Sequence, residues 1–272
     1  MGLISAFIMP HGSEAVPKLS DAHKNYARLT ENMFKIANLI KTSNPETIIL
    51  ATPHNLRIYK QIGIIMTEYY SGFVKSRTKK ITVSFTGDRK LAETMYRIAH
   101  EERLNVALVN YGTDSGTESK MPLDWGSVIP LWFLMPANEM KLVLVTPSRE
   151  VQWQQLVDFG KCIRRAADQL GRRVSFIASA DQAHAHLKSG PYGFSESAKL
   201  YDKYVLEAIR SNMLEKLLTI DPEMVDRAKP DSLWQMLILA GVLSGTKSRL
   251  VHLSYHRPSY FGMICAGFLL QQ

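Results

Sequence analysis

Two apolar runs in this chain each end in a Pro-His pair: Leu3–Met9 is followed by Pro10-His11, and Thr47–Ala51 by Thr52-Pro53-His54. Continuous apolar runs of this length read as strands buried on both faces of a sheet. A proline just past the strand end fixes φ and has no N–H to extend the ladder. Each imidazole is thus delivered at the carboxyl edge of a sheet, where open α/β folds place their ligands. Two histidines in the same local setting point to a metal site or an acid/base site.

Strand and helix signals alternate along the rest of the chain. Ser20 or Asp21 can cap a helix running to about residue 41, with Tyr26, Leu29, Met33, Ile36, Ala37 and Ile40 on one face. Further strands are expected at 63–68, 80–85, 106–109, 141–145 and 174–178, with a turn region around Gly72-Phe73. Helices are expected from Gly87-Asp88 to 103 and over 149–170, 196–210, 212–218 and 231–243, with a terminal strand pair at 250–253 and 260–269. This order implies one domain over 1–272: a three-layer α/β/α arrangement around a central, mostly parallel or mixed sheet.

Composition narrows the function classes. The 272 residues are ample for a core, and 46% hydrophobic with 21% charged content is that of a globular chain. The densest apolar block, 128–137, is too short to span a bilayer. The N-terminus has no basic region ahead of a cleavage site, and Ala6 stands where a myristoylation signal needs Ser or Thr. Cys162 and Cys265 make no disulfide framework, so a reducing, cytoplasmic setting is expected. The net charge is +8, but Lys75, Arg77, Lys79 and Lys80 form one loose cluster and Arg164, Arg165, Arg172 and Arg173 another. Neither is interleaved with aromatics as a nucleic-acid groove would be. They read as solvated surface, or as a basic mouth that attracts an acidic substrate.

A second polar cluster, Ser179-Ala180-Asp181-Gln182-Ala183-His184-Ala185-His186, follows the strand at 174–178, so it falls on the same sheet edge as His11 and His54. His184 and His186 are two apart and lie on opposite sides of an extended chain, one facing a cleft while the other faces away. Asp181 is placed to orient His184 by accepting its second N–H. The alternative is a polar loop with incidental histidines. A third segment, Met121-Pro122-Leu123-Asp124-Trp125-Gly126-Ser127-Val128-Ile129-Pro130-Leu131, reads as a helix start, with Trp125 as a wall or core residue.

Pro10-His11, Pro53-His54, the Leu-Asp-x-Gly-x-x-x-Pro-Leu segment, the Asp-x-x-His loop and Gly190-Pro191-Tyr192-Gly193-Phe194 occur here in one order. That order resembles the class III (LigB-type) extradiol ring-cleavage dioxygenases, and Memo-type proteins are related members. The resemblance covers nearly the whole chain, through Leu253-Ser254-Tyr255 and 260–267. It implies a LigB-like fold, with 1–272 forming a single domain like the LigB chain of an extradiol dioxygenase. It implies that His11 and His54 ligate a non-haem Fe(II), with His184 as the acid/base residue and Asp181 beside it. Trp125, Tyr192 and His186 are expected to contact the substrate, a small catechol or aminophenol type aromatic into which both atoms of O2 are inserted. No nucleic acid or membrane partner is implied. A homo-oligomer is the default expectation, and a second dioxygenase subunit is a candidate partner.

The chain departs from the family at three landmarks. The family's third ligand is a glutamate at the start of a late helix; here Ala228-Lys229-Pro230-Asp231-Ser232 stands there. Asp231 is either the carboxylate of a two-histidine, one-carboxylate triad or a helix cap, with Glu223 as the reserve carboxylate. Trp125 occupies a position where family members often carry histidine, and His256 one where an acid is expected. The alternatives to an oxygenase are a non-catalytic binding protein of the Memo kind, an inactive subunit of a two-subunit dioxygenase, and a metal-dependent hydrolase.

Overall fold

The computed structural model describes residues 2–19, 23–137 and 140–271. Its strands are β1 (Leu3–Met9), β2 (Thr47–Ala51), β3 (Ile62–Ile65), β4 (Tyr69–Lys75), β5 (Lys80–Thr86) and β6 (Val106–Val109). They continue with β7 (Lys120–Leu123), β8 (Lys141–Pro147), β9 (Val174–Ser179), β10 (Ser248–His256) and β11 (Met263–Leu270). The helices are α1 (Ala27–Ser43), α2 (Arg89–Glu101), α3 (Trp125–Trp132), α4 (Trp153–Leu170), α5 (Glu196–Arg210), α6 (Pro222–Ala228) and α7 (Leu233–Leu243).

Eight strands form one sheet in the order β10-β11-β1-β9-β2-β8-β3-β6. The central four, β1, β9, β2 and β8, are mutually parallel. Antiparallel β11 flanks them on one side and antiparallel β3 on the other. The α/β class with a mostly parallel, mixed sheet is therefore the observed one. Alternate residues of the central strands feed two cores. Ala6 and Ile8 of β1, with Ile49 and Ala51 of β2, face α2, α4, α5 and α7. Phe7 and Met9, with Ile48 and Leu50, face α1 and α3. Period-two alternation with both faces covered is why these strands read as unbroken apolar runs.

Several expectations are corrected. The Gly72-Phe73 region is not a turn but part of β4, which pairs with β5 and β7 in a separate three-stranded sheet. A Cβ on Gly72 would collide with the carbonyl oxygen of Leu123, so glycine stands there because β7 passes close. The expected strand at 63–68 is shorter, and the helix expected at 212–218 is a 3-10 helix, Leu214–Thr219. Helix α4 begins at Trp153, not at 149. The Ser20 or Asp21 cap lies outside the described residues; α1 starts at Ala27 and buries Leu29, Met33, Ile36, Ala37 and Ile40 as its periodicity requires. Helices α4 and α7 cross closely at Gly160 and Gly241, where added Cβ atoms would collide with the Ile238 and Val157 carbonyl oxygens.

Among the described residues, no helix is long and apolar enough to cross a membrane.

Candidate metal centre

The carboxyl ends of β1, β9 and β2 lie side by side in the sheet, so the segments that follow them converge. His11 follows β1, Asp181 and His184 follow β9, and His54 follows β2. Asp231 arrives from the other side, between α6 and α7. His11, His54 and Asp231 bring ligand atoms within 4.8 Å of one another. His11 Nε2 is 3.3 Å from His54 Nε2 and 3.4 Å from Asp231 Oδ2, and His54 Nε2 is 3.0 Å from the same oxygen.

The hydrogen bonds assign the His11 tautomer. The Ser179 hydroxyl donates to the carbonyl of Gly126, so its oxygen accepts at 3.0 Å from His11 Nδ1. His11 Nδ1 therefore carries the hydrogen and Nε2 presents a lone pair. That lone pair meets Asp231 Oδ2, His54 and, at 3.3 Å, Asp181 Oδ2. In a buried setting that lone pair is satisfied by a donor N–H on His54 Nε2 or by a cation held between the three groups. Two imidazole nitrogens and one carboxylate on one face fit a divalent metal, and the group could hold one.

The side chain of Asp231 does not cap α7 but turns toward His11 and His54. No hydrogen bond from its side chain caps α7, whose cap residue is Ser232. Instead Arg149 Nη2 donates to Asp231 Oδ1 at 2.8 Å, leaving Oδ2 for the histidines. Arg149 follows β8, and its guanidinium lies 4.8 Å from the Trp234 ring centre while Trp234 Nε1 donates to its carbonyl. Gln235 Nε2 ties the Asp231 and Ser179 carbonyls together. Burial alone would raise the Asp231 pKa, but the adjoining His11 and His54 rings, once protonated, outweigh it by hydrogen bond and charge and hold the carboxyl well below its usual range. Glu223, the reserve carboxylate, lies on the first turn of α6 in an exposed ion pair with Arg227 and does not join the group.

Asp181 does not orient His184, contrary to expectation. Its Oδ1 accepts from the His11 backbone N–H at 3.1 Å and its Oδ2 faces His11 Nε2. Burial raises the Asp181 pKa in spite of His11 and His184. His184 is oriented by a backbone carbonyl: Lys229, which ends α6 in the left-handed region (φ 53°), accepts from His184 Nδ1 at 3.1 Å. His184 Nε2 is then the basic nitrogen. Burial lowers the His184 pKa, only partly opposed by Asp181 and Asp231, so the ring is neutral at neutral pH.

His184 lines the cleft above the cluster and His186 does not, which corrects the expectation of a substrate contact from His186. The chain is extended there, so His186 turns the other way and donates through Nε2 to Asp202 Oδ2 at 2.8 Å. Asp202 also accepts from the Ala183 N–H and the Tyr255 hydroxyl, at 2.9 and 2.6 Å. His256, standing where an acid is expected, packs against Asn32 through Nε2.

The cleft is about 420 Å³ and is lined by both histidines, Asp181, Asp231, His184, Trp125 and Tyr192, together with Gly12, Ser13, Glu14, Val74, Tyr260 and Phe261. Trp125 is half exposed, its ring 4.2 Å from that of His54. Asp124 caps α3 through the Ser127 N–H and so sets Trp125 at the helix start. Phe261 stacks on His184 at 5.1 Å, and Tyr192 and Tyr260 continue that aromatic wall. Neither basic cluster forms the mouth that the charge allowed. Arg172 and Arg173 border a groove at the amino ends of β2 and β8, on the opposite edge of the sheet. Ser179, Arg149, Gln235 and Glu14 went unread in the sequence as site residues; only Ser179 and Arg149 carried a signal, each at or just past the end of a parallel strand.

A sequence model described as the catalytic LigB subunit of aromatic ring-opening dioxygenase matches residues 5–268. Protein CA_C1420 of Clostridium acetobutylicum is 27% identical over 258 residues, which is 94% of this chain and 55% of that protein. The chain thus spans about half the length of that curated relative. The crystal structure of uncharacterized protein JW3007 from Escherichia coli K12 superposes with a TM-score of 0.61 at 14% identity, over 97% of this chain and 99% of that one, and shows a shared fold.

Proposed function

The chain belongs to the LigB family of aromatic ring-opening dioxygenase catalytic subunits, and from that premise we propose that it is an extradiol dioxygenase using Fe(II) held by His11, His54 and Asp231. The observation that carries the reading is the convergence of the His11 and His54 Nε2 atoms on Asp231 Oδ2 under an aromatic-walled cleft. A facial set of two histidines and a carboxylate is the donor arrangement of non-haem Fe(II) oxygenases. When bound, Fe(II) supplies an electron path from an electron-rich ring to O2 and holds the two side by side.

The protein's own residues do the rest. Trp125 and Tyr192 border the space for the flat ring of a catechol or aminophenol. His184, neutral and with Nδ1–H engaged by the Lys229 carbonyl, takes a proton at Nε2 from a substrate hydroxyl and later returns it. Phe261, stacked on His184, keeps that ring in plane and sheds water from it. Ser179 keeps the His11 lone pair on Nε2. Arg149 keeps one Asp231 oxygen occupied and the other free.

The substrate partners on this reading are a small aromatic and O2. Residues 1–272 act as one domain, alone as a homo-oligomer or beside a second dioxygenase subunit, in a cytoplasmic setting. The test is oxygen uptake by the Fe(II)-loaded protein with catechols and aminophenols. Stoichiometric O2 consumption with a yellow ring-opened product is expected. Turnover unaffected by His11→Ala or Asp231→Ala would overturn the metal assignment, and tight metal binding without O2 uptake would favour a binding protein or a hydrolase.

A further inference from the structure

The cleft carries charge of the sign opposite to that of the chain. The protein has a net charge of +8, yet the cleft is lined by Glu14, Asp181 and Asp231 and, among the described residues, by no lysine or arginine. Asp181 and Asp231 are committed to the histidines. Among the described residues Glu14 has no such partner: it sits in the short 3-10 helix Ser13–Ala15, three residues beyond His11, where the neighbouring Ser13 hydroxyl makes only a weak contact to its carboxylate at 3.5 Å.

Glu14 is also next to aromatic surface. A Cβ on Gly12 would lie 3.3 Å from Glu14 Oε2 and 3.1 Å from Phe261 Cζ, so carboxylate and ring face the same piece of backbone. Tyr260 lies against Phe261 at 4.9 Å and Tyr192 against Tyr260 at 6.4 Å. A carboxylate at the edge of tyrosine and phenylalanine faces is the arrangement that recognises an organic ammonium, by charge and by the quadrupoles of the rings.

We propose that the cleft takes an aromatic molecule whose side chain ends in a cationic nitrogen, with Glu14 as the counter-ion and Tyr192, Tyr260 and Phe261 as the wall beside it. The proposal rests on the ring-cleaving reading only for the place of the ring over His11, His54 and Asp231. Three residues of chain reach at most about 10 Å, so any arm between a ring over His11 and a nitrogen at Glu14 is short. The basic cluster on the β4–β5 hairpin does not line the cleft: Val74 does, and Lys75 next to it leaves the opposite face of the strand.

The experiment uses matched probes that cannot chelate a metal, 2-phenylethylammonium and phenylacetate, titrated into the metal-stripped full chain by calorimetry. The ammonium should bind at least about tenfold more tightly, a preference that shrinks as salt rises and collapses in Glu14→Gln. Equal binding, preference for phenylacetate, no binding of either probe, or a preference that survives Glu14→Gln each overturns the proposal; the last would place the nitrogen at the emptied metal ligands. Oxygen uptake with 3,4-dihydroxyphenethylammonium and 3,4-dihydroxyphenylacetate separates the two readings. Uptake with both at equal efficiency would sink the ammonium preference alone. No uptake with any catechol, beside an intact ammonium preference, would sink the ring-cleaving reading alone.

Discussion

His11 and His54 present their Nε2 atoms to each other at 3.3 Å, and the hydrogen on His11 is already committed at Nδ1 to Ser179. With His11 Nε2 an acceptor, the pair is held either by a hydrogen on His54 Nε2 or by a cation shared among the nitrogens and Asp231. Without a metal, that cation is a proton. Burial works against a charged His11, but Asp181 and then Asp231 outweigh it, so its pKa lies above 6.5. A group with a raised folded-state pKa contributes stability in full below its unfolded value and loses it as pH rises through the folded one. The metal-stripped protein should lose thermal stability as pH rises above about 6.5, and saturating Zn(II) should flatten that slope. Thermal melts across pH with and without metal check this; a metal-free protein that gains stability over that range contradicts it.

On the proposed function, His184 sets the pH signature of turnover. Its pKa is lowered, chiefly by burial, and bound metal acts in the same direction. The acid limb of kcat/KM should therefore fall below the ordinary histidine value of about 6.5, and His184→Ala should lower kcat by about 10²–10⁴. A limb above that value, or a His184→Ala enzyme close to wild type, would remove the histidine from its role.

Gly126 lets the His54 ring sit where it does. A Cβ at that position would lie 2.7 Å from Thr52 Oγ1 and 2.8 Å from His54 Cδ2. Gly126→Ala must displace the ring, and metal affinity should fall by roughly 10–100-fold, as for other disturbances of ligand orientation. Competition titration with a chelating dye reads this directly, and unchanged affinity would contradict it.

Asp202 fastens the loop that carries His184. It accepts from the Ala183 N–H, His186 Nε2–H and the Tyr255 hydroxyl, and both Asp202 and His186 are buried. Asp202→Ala strands three donors, so denaturant unfolding should show a loss of about 3 kcal/mol. A loss under about 1 kcal/mol would mean that water replaces the carboxylate at little cost.

The parts of the site that were legible in the sequence are those with a local cause. Pro10 and Pro53 end strands, and the histidines after them go where strand ends go. Ser179, which fixes the His11 tautomer, and Arg149, which turns Asp231, act across 168 and 82 residues of separation, and residue spacing carries no trace of such contacts. Gly72 reads as a turn because its tight neighbour, Leu123, is remote in sequence. Helix α6 is absent from the helices expected above, although Asp221 caps it and Pro222 begins it, a pairing that marks helix starts. His186 was misplaced because alternation says that one of two histidines faces the cleft without saying which.

The most direct test is anaerobic Fe(II) binding to the metal-stripped protein, compared with Asp231→Ala. One tight Fe(II) per chain, lost in the variant, is the predicted result. No tight site in the wild type, or an undiminished one in Asp231→Ala, would contradict a centre built from His11, His54 and Asp231.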